Sequence, residues 1–377
     1  MGRIGRNALC QTSIAGEALM MSFIVLSLIY FILIILVIVA LVKEKICEKE
    51  SILSATVIVC ARNEEHNIPG LVESLKSLNY PEGMLEIFLV DDASDDNTRD
   101  VIDACINGEQ RIRAIHLNDK EESLAGKKNA ITRAVGMANG EIILLTDADC
   151  RPGPNWVKHM AACFDKETGM VLGFSPIEKS RGIFQRFLEF DQLARVAVQT
   201  AGAYWNIPPY STARNLAFRR QVFFEVNGYE SSGSIATGDD FFLTRDVWLK
   251  TKRTFRQAMH PGSFVMTKRD GFSGKYVRQQ LRRNGKIMHL APLYRGLGFF
   301  VFLYYLAIPV SILTLSPSVW VTSLAVKTTL EWTGFILAGK RFGFIKLALW
   351  FPLMALYYPV HVIMSSIIGS LKESRWK

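Results

Sequence analysis

The chain has 377 residues, long enough for one large domain or two, and 49% of them are hydrophobic, with a mean hydropathy of +0.17 that is high for a purely soluble protein. The formal net charge of +9 is local: residues 250–290 hold eleven Lys and Arg against the single acid Asp270, and the remainder is close to neutral. A basic flank just before apolar helices accounts for that stretch without nucleic acid. Six cysteines (Cys10, Cys47, Cys60, Cys105, Cys150, Cys163) show no CxxC or zinc spacing. Several lie in or beside predicted buried strands, which predicts reduced thiols in a cytoplasmic domain and no disulfide framework.

In chain order, Met20 to Val42 is almost unbroken apolar sequence, long enough to cross ~30 Å of hydrocarbon as a helix. Lys43-Glu44-Lys45 follow it where a cleavage site would have small residues, so a retained signal-anchor is expected, with Met20 or Met21 as an alternative start. The β-branched run Ala55 to Cys60 then reads as a strand, followed by Ala61-Arg62-Asn63-Glu64-Glu65 and a helix with Ile68, Leu71, Val72, Leu75 and Leu78 at helical spacing. Tyr80-Pro81-Glu82-Gly83 breaks that helix. A second strand, Glu86 to Val90, runs into Asp91-Asp92-Ala93-Ser94-Asp95-Asp96-Asn97-Thr98. Asp95 and Asp96 suit capping and solvation of the next helix, whereas Asp91 and Asp92, at the strand end, face a ligand better.

A third strand, Arg111 to Leu117, leads to Gly126-Lys127-Lys128, which opens a helix ending at Asn139-Gly140. Four consecutive aliphatics, Ile142 to Leu145, form the fourth strand, with Asp147 and Asp149 where it ends. Paired acids at such an end suit a hard divalent cation shared with a phosphate, or a solvated turn. Strands alternating with helices imply right-handed crossovers and a mainly parallel sheet. The loops carrying Asp91, Asp92, Lys127, Asp147 and Asp149 should therefore converge. A lysine at a helix start opposes the macrodipole, which favours a phosphate role for Lys127.

Beyond Arg151 the alternation fades. Gly182 to Thr200 is an amphipathic helix, either core or interfacial. Ala213-Arg214-Asn215, Asn227-Gly228-Tyr229 and Gly238-Asp239-Asp240 follow, the last at a helix start where capping explains one acid but not both. Three apolar stretches, Leu297–Leu315, Val319–Ala338 and Phe344–Leu371, read as further spans, with Lys327 and Glu331 placed to pair inside the second.

These pieces resemble a membrane-bound glycosyltransferase of family 2, over roughly Ser54 to His289. The resemblance rests on Ala61-Arg62-Asn63-Glu64-Glu65, Val90-Asp91-Asp92 with the acids after it, Gly126-Lys127, Asp147-Ala148-Asp149 as the DxD motif, and Gly238-Asp239-Asp240. Gln279-Gln280-Leu281-Arg282-Arg283 stands where a Gln-(Gln/Arg)-x-Arg-Trp motif is expected. It implies an α/β GT-A fold, Rossmann-like with a mainly parallel sheet, flanked by transmembrane helices. The implied division is a tail and anchor over 1–50, a cytoplasm-facing catalytic domain over 51–290 and a membrane domain of about three helices over 291–377, in the inner membrane.

The activity it implies is inverting transfer from a nucleotide sugar, a UDP-sugar by family habit, to a lipid, lipid-linked or polysaccharide acceptor. Arg62, Glu64, Asp91, Asp92, Lys127 and Asp147 would serve the donor nucleotide, and Asp149 would hold Mg²⁺ or Mn²⁺ against the diphosphate. Asp240, beside Asp239, would be the general base, and Asn215, Gln279, Arg282 and Arg283 would lie on the acceptor and diphosphate side. Arg283 replaces the Trp usual in processive members, which favours adding one or a few sugars over building a polymer. Ala213-Arg214-Asn215 also departs from a common Gly-Ala-Asn pattern. The rival readings are a processive polysaccharide synthase and a non-catalytic membrane scaffold with a nucleotide-binding domain.

Overall fold

The computed structural model describes residues 2–48, 52–118, 124, 126–178, 182–207, 211–233, 235, 238–267 and 292–371. Helix α1 (Gly2–Lys43) precedes β1 (Ala55–Ala61), and α2 (Ile68–Lys76) leads to β2 (Leu85–Asp92). Next come α3 (Thr98–Ile106), β3 (Ile112–Leu117), α4 (Lys127–Met137) and β4 (Ile142–Asp147). The four strands are parallel, in the order β3-β2-β1-β4. Alternate residues feed opposite faces. Val57, Val59, Ile87, Leu89 and Leu144 pack with Leu71 of α2, Ile102 of α3 and Trp156 of α5 (Trp156–Ala161). Ile58, Phe88, Val90, Ile143 and Leu145 pack with Ile131 and Ala134 of α4. Burial on both faces is why these strands read as aliphatic runs.

After β4 the sheet turns mostly antiparallel. β5 (Cys150–Pro152) leaves to pair with β9 (Val265–Thr267), while β7 (Leu216–Arg219) runs antiparallel to β4 and to β6 (Thr168–Leu172). β8 (Thr254–Gln257) closes the sheet parallel to β6, giving the order β3-β2-β1-β4-β7-β6-β8. The helices of this half are α6 (Ile183–Tyr204), α7 (Arg220–Glu225) and α8 (Asp239–Lys250).

Among the described residues three helices follow: α9 (Pro292–Thr314), α10 (Pro317–Phe342) and α11 (Phe351–Leu371). Of the two readings of α6, the structure shows core. Phe187, Leu188, Phe190 and Leu193 join Leu41 of α1, Phe335 and Phe342 of α10 and Phe351 of α11 in one apolar cluster. Phe190 stacks on Phe335 with centroids 4.1 Å apart, and Trp205 Nε1–H donates to the Leu36 carbonyl at 3.2 Å. α6 therefore fastens the sheet domain to the long apolar helices.

Two expectations need correction. Gly16–Lys43, Pro292–Thr314 and Ile345–Met364 are long and apolar enough to cross a membrane, but the expected span Val319 to Ala338 is not among them. Its helix, α10, is 26 residues long, yet Lys327, Glu331, Lys340 and Arg341 lower its apolar character. The expected span Phe344 to Leu371 is also divided, with a tight 3₁₀ stretch, Ile345–Trp350, ahead of α11. The charges within α10 are paired as anticipated. Lys327 Nζ donates to Glu331 Oε2 at 2.8 Å, the Tyr30 hydroxyl donates to Glu331 Oε1 at 2.6 Å, and the Tyr30 and Tyr305 hydroxyls lie 3.1 Å apart. Such polar contacts draw α1, α9 and α10 together where hydrophobic burial gives little drive.

The second correction concerns the cysteines. Cys47 and Cys163 form a disulfide, Cα to Cα 5.0 Å, which ties the segment after α1 to the end of α5. Cys60, Cys105 and Cys150 are free.

Candidate active site

The candidate site lies where β1, β2 and β4 end. The loops after β1 and β2 brace each other: Asn63 N–H donates to Ser94 Oγ at 3.0 Å, Asp95 N–H to Asn63 Oδ1 at 2.8 Å, and Glu64 N–H to Thr98 Oγ1 at 2.8 Å. Asn63 and Ala93 both have positive φ, 56° and 51°. Asparagine tolerates this region, but at Ala93 it costs about 1 kcal/mol, so the surrounding contacts must hold the loop in shape. Arg62 pairs with the solvated Asp95 at 3.6 Å, and Glu64 Oε2 accepts from Asn67 Nδ2 at 2.7 Å. Asp96, one residue before the N-cap Asn97, accepts at Oδ1 from Thr98 N–H, the first of α3, at 3.0 Å. Asp91 and Asp92 are buried; Asp91 accepts from Ser94 N–H at 3.2 Å and lies 3.9 Å from His116 Nδ1.

Lys127 opens α4 behind Gly126, whose φ of 65° and ψ of −147° suit glycine almost alone. Its Nζ reaches Asp147 Oδ1 at 2.5 Å. Burial works against the ammonium, but Asp147 and Asp239 hold it well above the ordinary lysine range. A carboxylate from β4 and another from α8 thus act on one cation. The thiol of Cys60, at the end of β1, senses the same cluster. Burial pushes it up to about 12, Lys127 offsets part of the rise, and Asp92, Asp239 and Asp147 add to it.

Asp149 is raised by burial and then by the charge of Asp147, and lowered by Arg214, the Cys150 thiol and Lys127. A divalent cation would add to the positive charge that Lys127 and Arg214 already bring to these two crowded carboxylates. Among the described residues no group of three or more His, Cys, Asp or Glu is placed to enclose a metal.

Asp239 and Asp240 occupy the first turn of α8, where the macrodipole favours acids, behind Gly238 at a left-handed φ of 86°. Neither acid is the cap. Asp240 Oδ1 accepts from Phe241 N–H at 2.7 Å and Oδ2 from Ala213 N–H at 3.2 Å, so α8 and the segment before β7 fix this carboxylate together. The next residue, Arg214, is the one whose charge acts on Asp149, so a two-residue step of backbone joins the surroundings of Asp240 and Asp149.

Asn215, expected on the acceptor side, is instead 1% exposed. Its Oδ1 accepts from Trp156 Nε1–H at 2.9 Å, and its Nδ2 donates to the carbonyls of Phe174 at 2.9 Å and Ser263 at 2.8 Å. It holds segment 211–215 from beneath. Gln279, Arg282 and Arg283 lie outside the described residues. Lys128 and Tyr229 carried no role in the sequence reading. The Tyr229 hydroxyl is raised by burial and then by Asp239 and Asp240, so this ring backs the acids of α8. The sequence signal for Lys128 was its neighbour, a second lysine where a helix start disfavours even one.

A mainly parallel sheet with acidic loops gathered at its carboxyl edge and antiparallel strands added beside β4 defines a GT-A fold. Residues 56–229 form a domain that matches the family model Glycosyl transferase family 2. Similar proteins include the probable glycosyltransferase YdaM of Bacillus subtilis (strain 168), 25% identical over 197 residues, which are 51% of this chain and 46% of that protein. The beta-monoglucosyldiacylglycerol synthase of Trichormus variabilis is 29% identical over 112 residues, 30% of this chain and 24% of that protein. The undecaprenyl-phosphate 4-deoxy-4-formamido-L-arabinose transferase of Proteus mirabilis is 31% identical over 124 residues, 32% and 37% of the two chains. The chain thus spans less than half the length of each of these relatives. Among solved structures, the mannosyltransferase PcManGT of Pyrobaculum calidifontis, in complex with GDP-Man and Mn²⁺, is similar with a TM-score of 0.56 over 91% of this chain and 98% of that one. At 17% identity the likeness is one of fold.

Proposed function

We propose that the chain is a metal-dependent, inverting glycosyltransferase that moves a sugar from a nucleoside-diphosphate sugar to a lipid or lipid-linked acceptor at a membrane surface. The observation that carries this reading is the arrangement of Lys127 between Asp147 of β4 and Asp239 of α8, with Asp149 two residues beyond Asp147 and Asp240 next to Asp239. Asp91, Asp92 and the Arg62–Glu64 loop receive the nucleoside, and Lys127 and Asp147 face its ribose and phosphates. Asp149 would hold Mg²⁺ or Mn²⁺, which supplies charge to the departing diphosphate. PcManGT, of the same fold, is in complex with GDP-Man and Mn²⁺.

Asp240 takes the proton from the acceptor hydroxyl as that oxygen attacks the anomeric carbon from the side opposite the diphosphate, which inverts the centre. Its two backbone hydrogen bonds orient the carboxylate without spending every lone pair. A lipid acceptor fits the position of the domain, which α6 holds against helices long and apolar enough to cross a membrane. Two of the relatives are named for lipid or polyprenyl-phosphate substrates. Residues 1–50 serve as anchor, 51–290 as catalytic domain and 291–377 as membrane domain. Lys43, Lys45, Lys340, Arg341 and Lys346, near the domain end of the helices, favour the cytoplasmic side of an inner membrane. The Cys47–Cys163 bond runs against that placement, because reducing compartments keep thiols free. Transfer is non-processive on the strength of Arg283, and UDP is the first nucleotide to try.

The test is thermal unfolding of the full chain with UDP and with GDP, in Mn²⁺ and in EDTA. Binding at a hundred times Kd stabilises by about 2.7 kcal/mol, so a metal-dependent rise in Tm is expected. Asp149→Asn should weaken nucleotide binding about 10- to 100-fold in Mn²⁺ and leave the weak EDTA signal unchanged. No stabilisation by any common nucleoside diphosphate ends the reading.

A further inference from the structure

The start of α4 carries two lysines that diverge. Lys127 reaches the donor-side Asp147, while Lys128, 1% exposed, turns the other way. Its Nζ donates to the Ser232 carbonyl at 2.5 Å, the Ser232 hydroxyl at 3.1 Å and the Ile235 carbonyl at 2.8 Å. The ammonium also lies 4.4 Å from the centroid of the Phe242 ring and 5.8 Å from that of Tyr229. Phe242 belongs to the first turn of α8, two residues after Asp240, and Tyr229 backs Asp239 and Asp240. The far side of the same segment is held by α8 itself. Ser231 Oγ donates to Asp246, and Arg245 Nη2 donates to Ser231 Oγ at 3.0 Å.

A buried ammonium is costly unless acceptors surround it, and an apolar side chain would fill this space more cheaply. What a methionine could not do is fix two carbonyls and a hydroxyl of the segment that leads into Asp239 and Asp240. We propose that Lys128 is a positioning residue that ties the donor-binding end of α4 to Ser232 and Ile235, ahead of α8, so that a donor seated on Lys127 meets an aligned Asp240. The proposal rests on the glycosyltransferase reading only for the chemistry that is aligned. The mechanical tie stands on the three hydrogen bonds and the ring contacts.

The experiment uses the full chain with Lys128→Met, which keeps the stem, and Lys128→Arg, which keeps the charge. Transfer kinetics with the nucleotide sugar, calorimetric titration with UDP or GDP in Mn²⁺, and hydrogen exchange over 229–240 are measured for each. In Lys128→Met, kcat falls about 10- to 100-fold while nucleotide Kd and donor KM stay within about threefold. Exchange over 229–240 speeds up with β1 to β4 unchanged, and Lys128→Arg recovers part of the loss. An unchanged kcat with unchanged exchange overturns the proposal, and so does a loss of nucleotide affinity as large as that of Lys127→Ala, which would assign Lys128 to the donor site. Should Lys128→Met fail to fold, Ser232→Ala and Phe242→Leu carry the test, and wild-type kcat in both refutes it. If the wild-type protein binds no nucleotide, the functional reading fails separately. The exchange rates of the unliganded variants still decide whether Lys128 holds the segment.

Discussion

Residues 55–149 and residues 182–267 reach the same edge of one sheet by different means. The first region is regular: four parallel strands, buried on both faces, with each acid placed by the end of a strand. In the second, position comes from buried polar side chains. Gln192 Oε1 accepts from Ile177 N–H at 3.1 Å, Gln199 Nε2 donates to the Gly173 carbonyl at 3.2 Å and to Gln257 Oε1 at 2.9 Å, and Asn215 makes three such bonds. The first region can therefore hold a common ligand part through backbone geometry, while the second places Asp240 through single contacts that one substitution can break. On the proposed reading, binding belongs to the first region and chemistry to the second.

The largest expected effect tests that division directly. Asp240→Asn keeps the shape of the side chain and its hydrogen bonds from Phe241 and Ala213 in part, but removes the base. Transfer should fall by about 10³-fold or more, with Kd for the nucleoside diphosphate in Mn²⁺ within about twofold of wild type. Retained turnover would remove Asp240 as base. A parallel loss of nucleotide binding would dissolve the division between the regions.

Next in size is Asn215→Leu. It removes the Asn215 bonds to Trp156 Nε1–H and to the carbonyls of Ser263 and Phe174, the last of which keeps Val265 N–H, at about 2–4 kcal/mol in urea unfolding. If the second region depends on single contacts, kcat of the folded fraction should also drop, because segment 211–215 carries the Ala213 N–H that orients Asp240. A stability loss below about 1 kcal/mol would show that neighbouring contacts carry the segment and that the two regions are alike in redundancy.

The first region was legible for the reason that makes it rigid. Aliphatic runs such as Ile142 to Leu145 arise only where both faces are buried, and the acids after them mark strand ends. α6 was ambiguous because an apolar stripe looks the same against a core or a membrane interface; only contacts such as Phe190 on Phe335 distinguish them. Asn215 was misplaced because sequence shows an amide near a motif but not the indole and carbonyls that consume it. The Cys47–Cys163 bond spans a separation of 116 residues with no local pattern to announce it. Lys128 was passed over beside Lys127 because adjacent lysines look alike until their side chains part.

The smallest effect concerns the support beneath Asn215. His159 of α5 stacks on His260 with centroids 3.6 Å apart, and His260 Nδ1 accepts from Gly262 N–H at 3.0 Å in the turn whose Ser263 carbonyl binds Asn215. Burial, then His260 and Lys158, hold His159 below the ordinary histidine range. The folded protein therefore keeps this ring neutral at a pH where the unfolded chain begins to protonate it, near pH 6.5. Its contribution is fully present above that pH and is lost as pH falls through the lower, folded value, because the unfolded state then binds more protons. Urea midpoints should decline from pH 7 towards pH 5, and His159→Gln should flatten part of that decline. An identical decline in His159→Gln would mean that the acid sensitivity arises elsewhere. A steeper one would mean that the stacked ring supports the turn more than its suppressed charge weakens it, and that the second region gains from a contact its own electrostatics oppose.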